Sequence, residues 1–136
     1  MHSLARSLSL TAPRLSLLQD KYILRLFDTD PDELFSRIRA ITYKTTDIFV
    51  ICFDLTNEDT FKNCRSWYAE VNQLSAKSPV LLVGTKVDQK LPRIDRKVPE
   101  ALLQDLLMLY NYIEIDASDP NNVKKLIELA VSHLSL

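Results

Sequence analysis

Two short runs, "DIFVICF" (Asp47 to Phe53) and "PVLLV" (Pro79 to Val83), are apolar and largely β-branched at nearly every position. A strand with one wet face alternates; a continuous run suits a strand buried on both faces, with layers above and below the sheet. The segments around these runs have helical spacing. "DELFSRIRAITY" sets Leu34, Ile38 and Ile41 on one stripe, and "DTFKNCRSWYAEVNQL" does the same with Phe61, Cys64, Trp67 or Tyr68, Val71 and Leu74. "VPEALLQDLLMLY" reads as a helix with Pro99 near its first turn, where a missing N–H costs nothing. "YIEID" (Tyr112 to Asp116) is a third parallel strand. "SDPNNVKKLIELAVSHL" is a last helix, capped by Ser118 or Asp119, with Val123, Leu126, Ile127, Ala130, Val131 and Leu134 on its apolar face. Near the start, "RLSLLQDKYILRLF" (Arg14 to Phe27) reads as two short strands around a Gln19-Asp20 turn. Strands alternating with helices predict right-handed crossovers and one α/β layer sandwich over residues 1–136, with no repeat or linker.

At 136 residues, 46% hydrophobic and 26% charged, the chain can bury a core of its own. A formal charge of −1 with mixed signs gives no reason to expect nucleic acid or a membrane surface as partner. No apolar run approaches the ~18 residues of a transmembrane helix. Cys52 and Cys64 lie in unrelated contexts, which points to a reduced, cytoplasmic chain rather than a disulfide scaffold. His2 and His133 lack neighbours at metal-ligand spacing, so neither a metal site nor a histidine-based nucleophile is expected. The segment "MHSLARSLSLTAPRLSLLQ" has arginines, serines and leucines but no acid. It is read as an ordinary start running into a strand, with a mitochondrial presequence as the minor alternative.

The polar residues after the strands collect on one edge. "LRLF" is followed by Asp28, "VICF" by Asp54, "LLVG" by Thr85-Lys86-Val87-Asp88, and "YIEI" by Asp116-Ala117-Ser118. Parallel strands bring such ends together, and open α/β sheets bind ligands there. One such Asp is ordinarily a turn former or helix cap. Four together point to a ligand edge.

"LFDTDPDELFSRIRAITYKTTDIFVICFDLTNEDTFKNCRSWYAEV", followed by "PVLLVGTKVD", resembles the Ras superfamily of small GTPases over about Arg14 to Leu134. The nearest pattern is that of the Rho branch: L-W-D-T-A-G-Q-E, then S-Y-x-x-T-D-V-F-L-I-C-F, then G-T-K-x-D. "FDLTNEDTF" leans toward the Rab branch, and between Asp88 and Tyr112 there is no obvious room for the extra Rho helix. The resemblance implies a Ras-like three-layer sandwich with a mostly parallel sheet. It also implies a guanine reader made of Thr85, Lys86, Asp88, Asp116, Ala117 and Ser118. There the Asp88 carboxylate accepts two hydrogen bonds from the guanine edge. The Lys86 stem covers the base with its charge in solvent. Gly84 lets the backbone leave the strand, and the Ala117 N–H meets the guanine carbonyl. Asp116, where the family has Ser, places an extra acid near the base.

The same comparison exposes a gap. The phosphate loop G-x-x-x-x-G-K-[ST] needs glycines, and Gly84 is the only one in the sequence. Arg6 stands near the place of the magnesium-binding switch threonine. Asp28 and Thr29 remain of the phosphate and magnesium side, but Pro31 replaces a glycine whose N–H meets the γ-phosphate. Asp32 falls where the family has its water-orienting glutamine. Two hydrogen bonds to a carboxylate contribute roughly 1.5–3 kcal/mol each, against an association cost of at least about 4 kcal/mol. The balance implies affinity of about 1 mM or weaker.

The expectation is a Rho- or Rab-like GTP-binding signalling or trafficking switch, truncated or degenerate. It recognises guanine in part, holds GTP or GDP weakly at best, makes doubtful use of Mg2+, and has lost hydrolysis. No catalytic residue is assigned. The alternative is a nucleotide-independent pseudo-GTPase that binds proteins through Glu33 to Tyr43 and the surface around Trp67 and Tyr68; for those two aromatics, core packing is the preferred reading. Protein effectors or regulators are the expected partners. "AVSHLSL" has no C-a-a-X cysteine, so no prenyl anchor is encoded here. In the family a strand missing here lies between the strand ending at Phe27 and the one ending at Phe53. Either those two close directly, or Ser3 to Thr11 fills the slot, or the chain is a shortened form; residues 1–12 otherwise lie outside the fold.

Overall fold

The computed structural model describes residues 4–11, 23–90, 92–106 and 109–134. The strands are β1 (Leu4–Thr11), β2 (Ile23–Asp28), β3 (Ile48–Asp54), β4 (Val80–Thr85) and β5 (Leu109–Ile115). A 3-10 turn, Glu33–Phe35, leads into helix α1 (Ser36–Tyr43), and α2 (Glu58–Lys62), α3 (Cys64–Leu74), α4 (Lys97–Asp105) and α5 (Pro120–Leu134) follow. The sheet order is β2-β1-β3-β4-β5. β3, β4 and β5 pair in parallel, whereas β1 pairs antiparallel with both β2 and β3. Four of the five described strands therefore run in one direction, which is the mostly parallel α/β sheet expected.

Between β2 and β3 lies β1, with Arg6 registered opposite Asp28 on one side and Val50 on the other. It satisfies backbone groups that two separated strands would leave open. Because it runs against its neighbours, its first residue rather than its last lies at the edge where β2 and β3 end. The expected strand over Arg14 to Leu18 and the Gln19-Asp20 turn lie outside the described residues.

The continuous apolar runs form the two-sided core. Phe49, Ile51 and Phe53 face a cluster built with Tyr43, Cys64, Tyr68, Val71 and Leu102. Ile48 and Val50 face the opposite way, with Leu81, Val83, Ile115 and Ala130. Fully burying one such side chain contributes roughly 1.5–3 kcal/mol. α1 to α4 thus supply one layer, and α5 supplies the other. Single helices expected over 59–74 and 98–110 are shorter in the structure. The first divides into α2 and α3 at Asn63, and the second ends at Asp105, so that β5 begins at Leu109 and pairs with Val80.

One expected stripe points the wrong way. Leu34, Ile38 and Ile41 are 86%, 59% and 69% exposed, while Arg39 and Tyr43 are the buried residues of α1. Arg39, only 3% exposed, is held by charge pairing rather than by apolar contact. Tyr68 is buried, and Trp67 packs against the core with the Arg39 guanidinium 5.4 Å from its ring centroid. Core packing is therefore the role of both aromatics.

Candidate functional site

β4 and β5 end side by side, and the loops after them meet. Val87 N–H donates to the Ile115 carbonyl at 3.3 Å, tying the two loops together. A cavity of about 620 Å³ opens there. Thr85, Lys86, Asp88, Asp116, Ala117 and Ser118 all line it, so the six residues assigned to the guanine side come together. Asp28 and Thr29 are not among the described residues lining the cavity. Asp28 is the exposed end of β2, and a Thr29 hydrogen bond acts on the Tyr43 phenol.

Lys86 departs from the reading that left its charge in solvent. Its Nζ pairs with Asp54 Oδ2 at 2.6 Å. The backbone at Lys86 is left-handed, with φ of 65°, a region non-glycine residues seldom adopt. The carboxylate it meets is largely buried and also accepts from Thr56 N–H at 2.8 Å and Thr56 Oγ1 at 2.6 Å. Burial pushes the Asp54 pKa up, but Lys86 and Thr56 outweigh it and hold the carboxyl below its ordinary value. Thr85 Oγ1 donates to the Phe53 carbonyl at 3.0 Å and Leu55 N–H to the Thr85 carbonyl at 3.1 Å, so the ends of β3 and β4 are laced together.

Gly84 lies within β4 and has no positive φ, so a backbone exit is not what needs it. A Cβ there would stand 2.9 Å from the Tyr112 hydroxyl and 3.1 Å from Leu55. The Tyr112 hydroxyl donates to Glu114 Oε1 at 2.9 Å; burial first, then Glu114, push the phenol pKa up.

The acid at Asp116 turns onto its own loop. Its Oδ1 accepts from Ser118 N–H at 2.9 Å and Ser118 Oγ at 2.6 Å, and these bonds lower its pKa. Asp119 caps α5 by accepting from Asn121 N–H at 2.9 Å. Asp88 is exposed and accepts from Gln89 Nε2 at 3.2 Å.

Residues 30–32 are fixed by structural bonds. Asp30 Oδ1 accepts from Asp32 N–H, and Asp32 Oδ1 accepts from Leu34 N–H, both at 2.9 Å. Asp32, at the water-orienting position, therefore caps the 3-10 turn. Arg39 Nη1 donates to the Asp30 and Asp32 carbonyls at 2.8 and 2.7 Å, and Arg39 Nη2 pairs with Glu70 at 2.9 Å. Tyr43 OH donates to Glu70 at 3.1 Å. The Glu70 hydrogen bond raises the Arg39 pKa further. Pro31 has no N–H, Asp32 is committed, and the only glycine of the sequence is packed inside β4.

Sequence reasoning missed the Arg39–Glu70 hub and the apolar wall of the cavity: Leu26, Val50 and Cys52 from the sheet, with Val123, Leu126 and Ile127 from α5. The wall was legible in principle, since Val50 and Cys52 alternate along β3. The hub had no signal, because thirty-one residues separate its two charges. Among the described residues no group of three or more His, Cys, Asp or Glu is placed to hold a metal. No described helix is long and apolar enough to cross a membrane.

The sequence profile of the Ras family matches residues 9–135. The chain is also 32% identical over 114 residues to the Ras-like GTP-binding protein RhoL of Drosophila melanogaster, covering 81% of this chain and 60% of that protein. With the ordered sheet, the two meeting loops and a profile match over nearly its whole length, this chain belongs to the Ras family.

Proposed function

We propose that this chain is a guanine-recognising relative of the small GTPases whose phosphate machinery is not functional. The observation that carries this reading is the single cavity shared by Thr85, Lys86, Asp88, Asp116, Ala117 and Ser118. Asp88 reads the donor edge of the base, and the Ala117 N–H meets its carbonyl. Lys86, paired with Asp54, shapes the loop instead of reaching toward a phosphate. GTP or GDP is held weakly, without a contribution from Mg2+, and is not hydrolysed. Calorimetric titration of this chain with guanosine, GDP and GDP plus magnesium tests the reading. Weak binding that is insensitive to magnesium and absent in Asp88→Asn is expected; no heat at millimolar ligand overturns it.

A second role, in protein interaction, is favoured by one observation: the outward stripe of Leu34, Ile38 and Ile41 on the α1 segment. Exposed apolar stripes of this kind serve as docking surfaces. Effectors or regulators bound there are captured equally with and without nucleotide. Capture that requires added GTP argues against this role.

A further inference from the structure

The helical layer formed by α1 to α4 is divided by charge. Arg39–Glu70 joins α1 to α3 and Arg65–Asp105 joins α3 to α4, at 2.9 and 2.8 Å, so α3 lies between the other two. β2, β3 and β4 run in one direction, and α1, α2 with α3, and α4 each follow one of them. The helices therefore begin at one end of the layer.

On the α4 side of α3 is a groove of about 560 Å³. Phe61, Val98, Ala101 and Leu102 give it an apolar floor, and Lys62, Arg65 and Lys97 stand over it. Among the described residues lining it Asp105 is the acid, paired with Arg65. Asp59, 3.6 Å from Lys62, and Glu100, held by Arg96 at 2.7 Å, lie outside the lining. On the α1 side the sign reverses. Asp30, Asp32 and Glu33 line a second space, of about 610 Å³, against Trp67. Arg39 in that space is buried and committed to Glu70, which leaves Arg37 as the exposed cation of α1. The exposed stripe of Leu34, Ile38 and Ile41 continues from these acids.

Two such halves on one layer complement each other. A two-fold axis along the outer side of α3 sets the α1 half of each copy over the α4 half of the other. Because it runs with the helices, it keeps their starts at one end. Asp32 and Glu33 then meet Lys62, Arg65 and Lys97, and the stripe meets the apolar floor. A contact of this kind uses the same patch on both copies and closes at two, and its charges fix the register. We propose that this chain forms a two-fold dimer through its α1–α3–α4 layer. The proposal rests on the α1 stripe being a docking surface and names a second copy of the chain as its occupant.

Sedimentation velocity of the 136-residue chain across micromolar to millimolar concentration is the test. The mass is expected to rise from one copy to two and no further. Lys97→Glu in the groove, Glu33→Lys beside the stripe and Ile38→Glu on it all change exposed side chains, and circular dichroism checks their folding. Each is expected to weaken the dimer at least threefold. An equal mixture of Lys97→Glu and Glu33→Lys restores one native contact and pairs the two reversed charges in the other, so it associates more tightly than either variant alone. A single copy at every concentration, growth past two copies, a dimer indifferent to all three substitutions, or no recovery on mixing each overturns the proposal. The docking reading of α1 is judged apart from it: Ile38→Glu that leaves the capture of protein partners intact overturns that reading, whether or not the chain dimerises.

Discussion

Lys86 shows how a loop residue chosen for one task is held by another. Its left-handed backbone carries strain of about 1–3 kcal/mol, and the ion pair with Asp54 offsets it. Lys86→Met leaves the Asp54 carboxylate buried without its cation, at a cost of about 2 kcal/mol in urea unfolding. The pH dependence follows from the depressed Asp54 pKa. Its contribution is fully present above the unfolded-state value of about 3.9 and is lost as pH falls through the folded value. In Lys86→Met, burial is opposed only by the Thr56 hydrogen bonds, so the depression shrinks and this part of the acid limb flattens. Unfolding curves for both chains between pH 6 and pH 2 (about the range where carboxyls titrate) separate the two cases. At Gly84, an added Cβ meets Tyr112 and Leu55, so Gly84→Ala destabilises by about 1–3 kcal/mol in the same measurement.

Among the elements, α1 separates pattern from environment. If Leu34, Ile38 and Ile41 faced the core, truncating Ile38 would cost about 2–5 kcal/mol. At 59% exposure, Ile38→Ser is expected to change stability by no more than about 0.5 kcal/mol. Arg39→Ala, in contrast, removes the fork that joins Glu70 to the carbonyls of Asp30 and Asp32 and is expected to cost about 3 kcal/mol or more. Arg39→Lys recovers less than half, because an ammonium cannot serve the planar arrangement. Chemical denaturation of the three variants checks the order. The segment from Asp30 to Leu34 is held by this guanidinium and by two carboxylate turns.

At the scale of the molecule, the two faces of the sheet differ in cover among the described residues: α1 to α4 pack on one and α5 on the other. The two cysteines report that difference. Cys64, the first residue of α3, is buried, and desolvation pushes its thiol up to about 12. Cys52 is half-buried and lines the cavity. Alkylation timed by mass spectrometry is expected to label Cys52 first, with Cys64 reacting only at the rate of global opening. Occupancy of the cavity is expected to slow Cys52 and leave the order unchanged.

Much of this architecture was legible before any coordinates. Continuous apolar runs such as Ile48 to Phe53 can be buried only between two layers, and strand–helix alternation then leaves few topologies, so the fold class and the meeting of Asp88 with Ala117 at one edge followed from pattern alone. Thr85, Lys86 and Asp88 meet Asp116, Ala117 and Ser118 because loops after neighbouring parallel strands share one edge, whereas their assignment to guanine came from the family resemblance. Three things were decided by tertiary structure. β1 entered the central slot antiparallel, since hydrogen-bond completion accepts either direction. The α1 stripe faced outward, since a buried Arg39 with a distant Glu70 claimed the inner face. Lys86 turned to Asp54, because an ion pair between residues thirty-two apart depends on proximity that only folding creates.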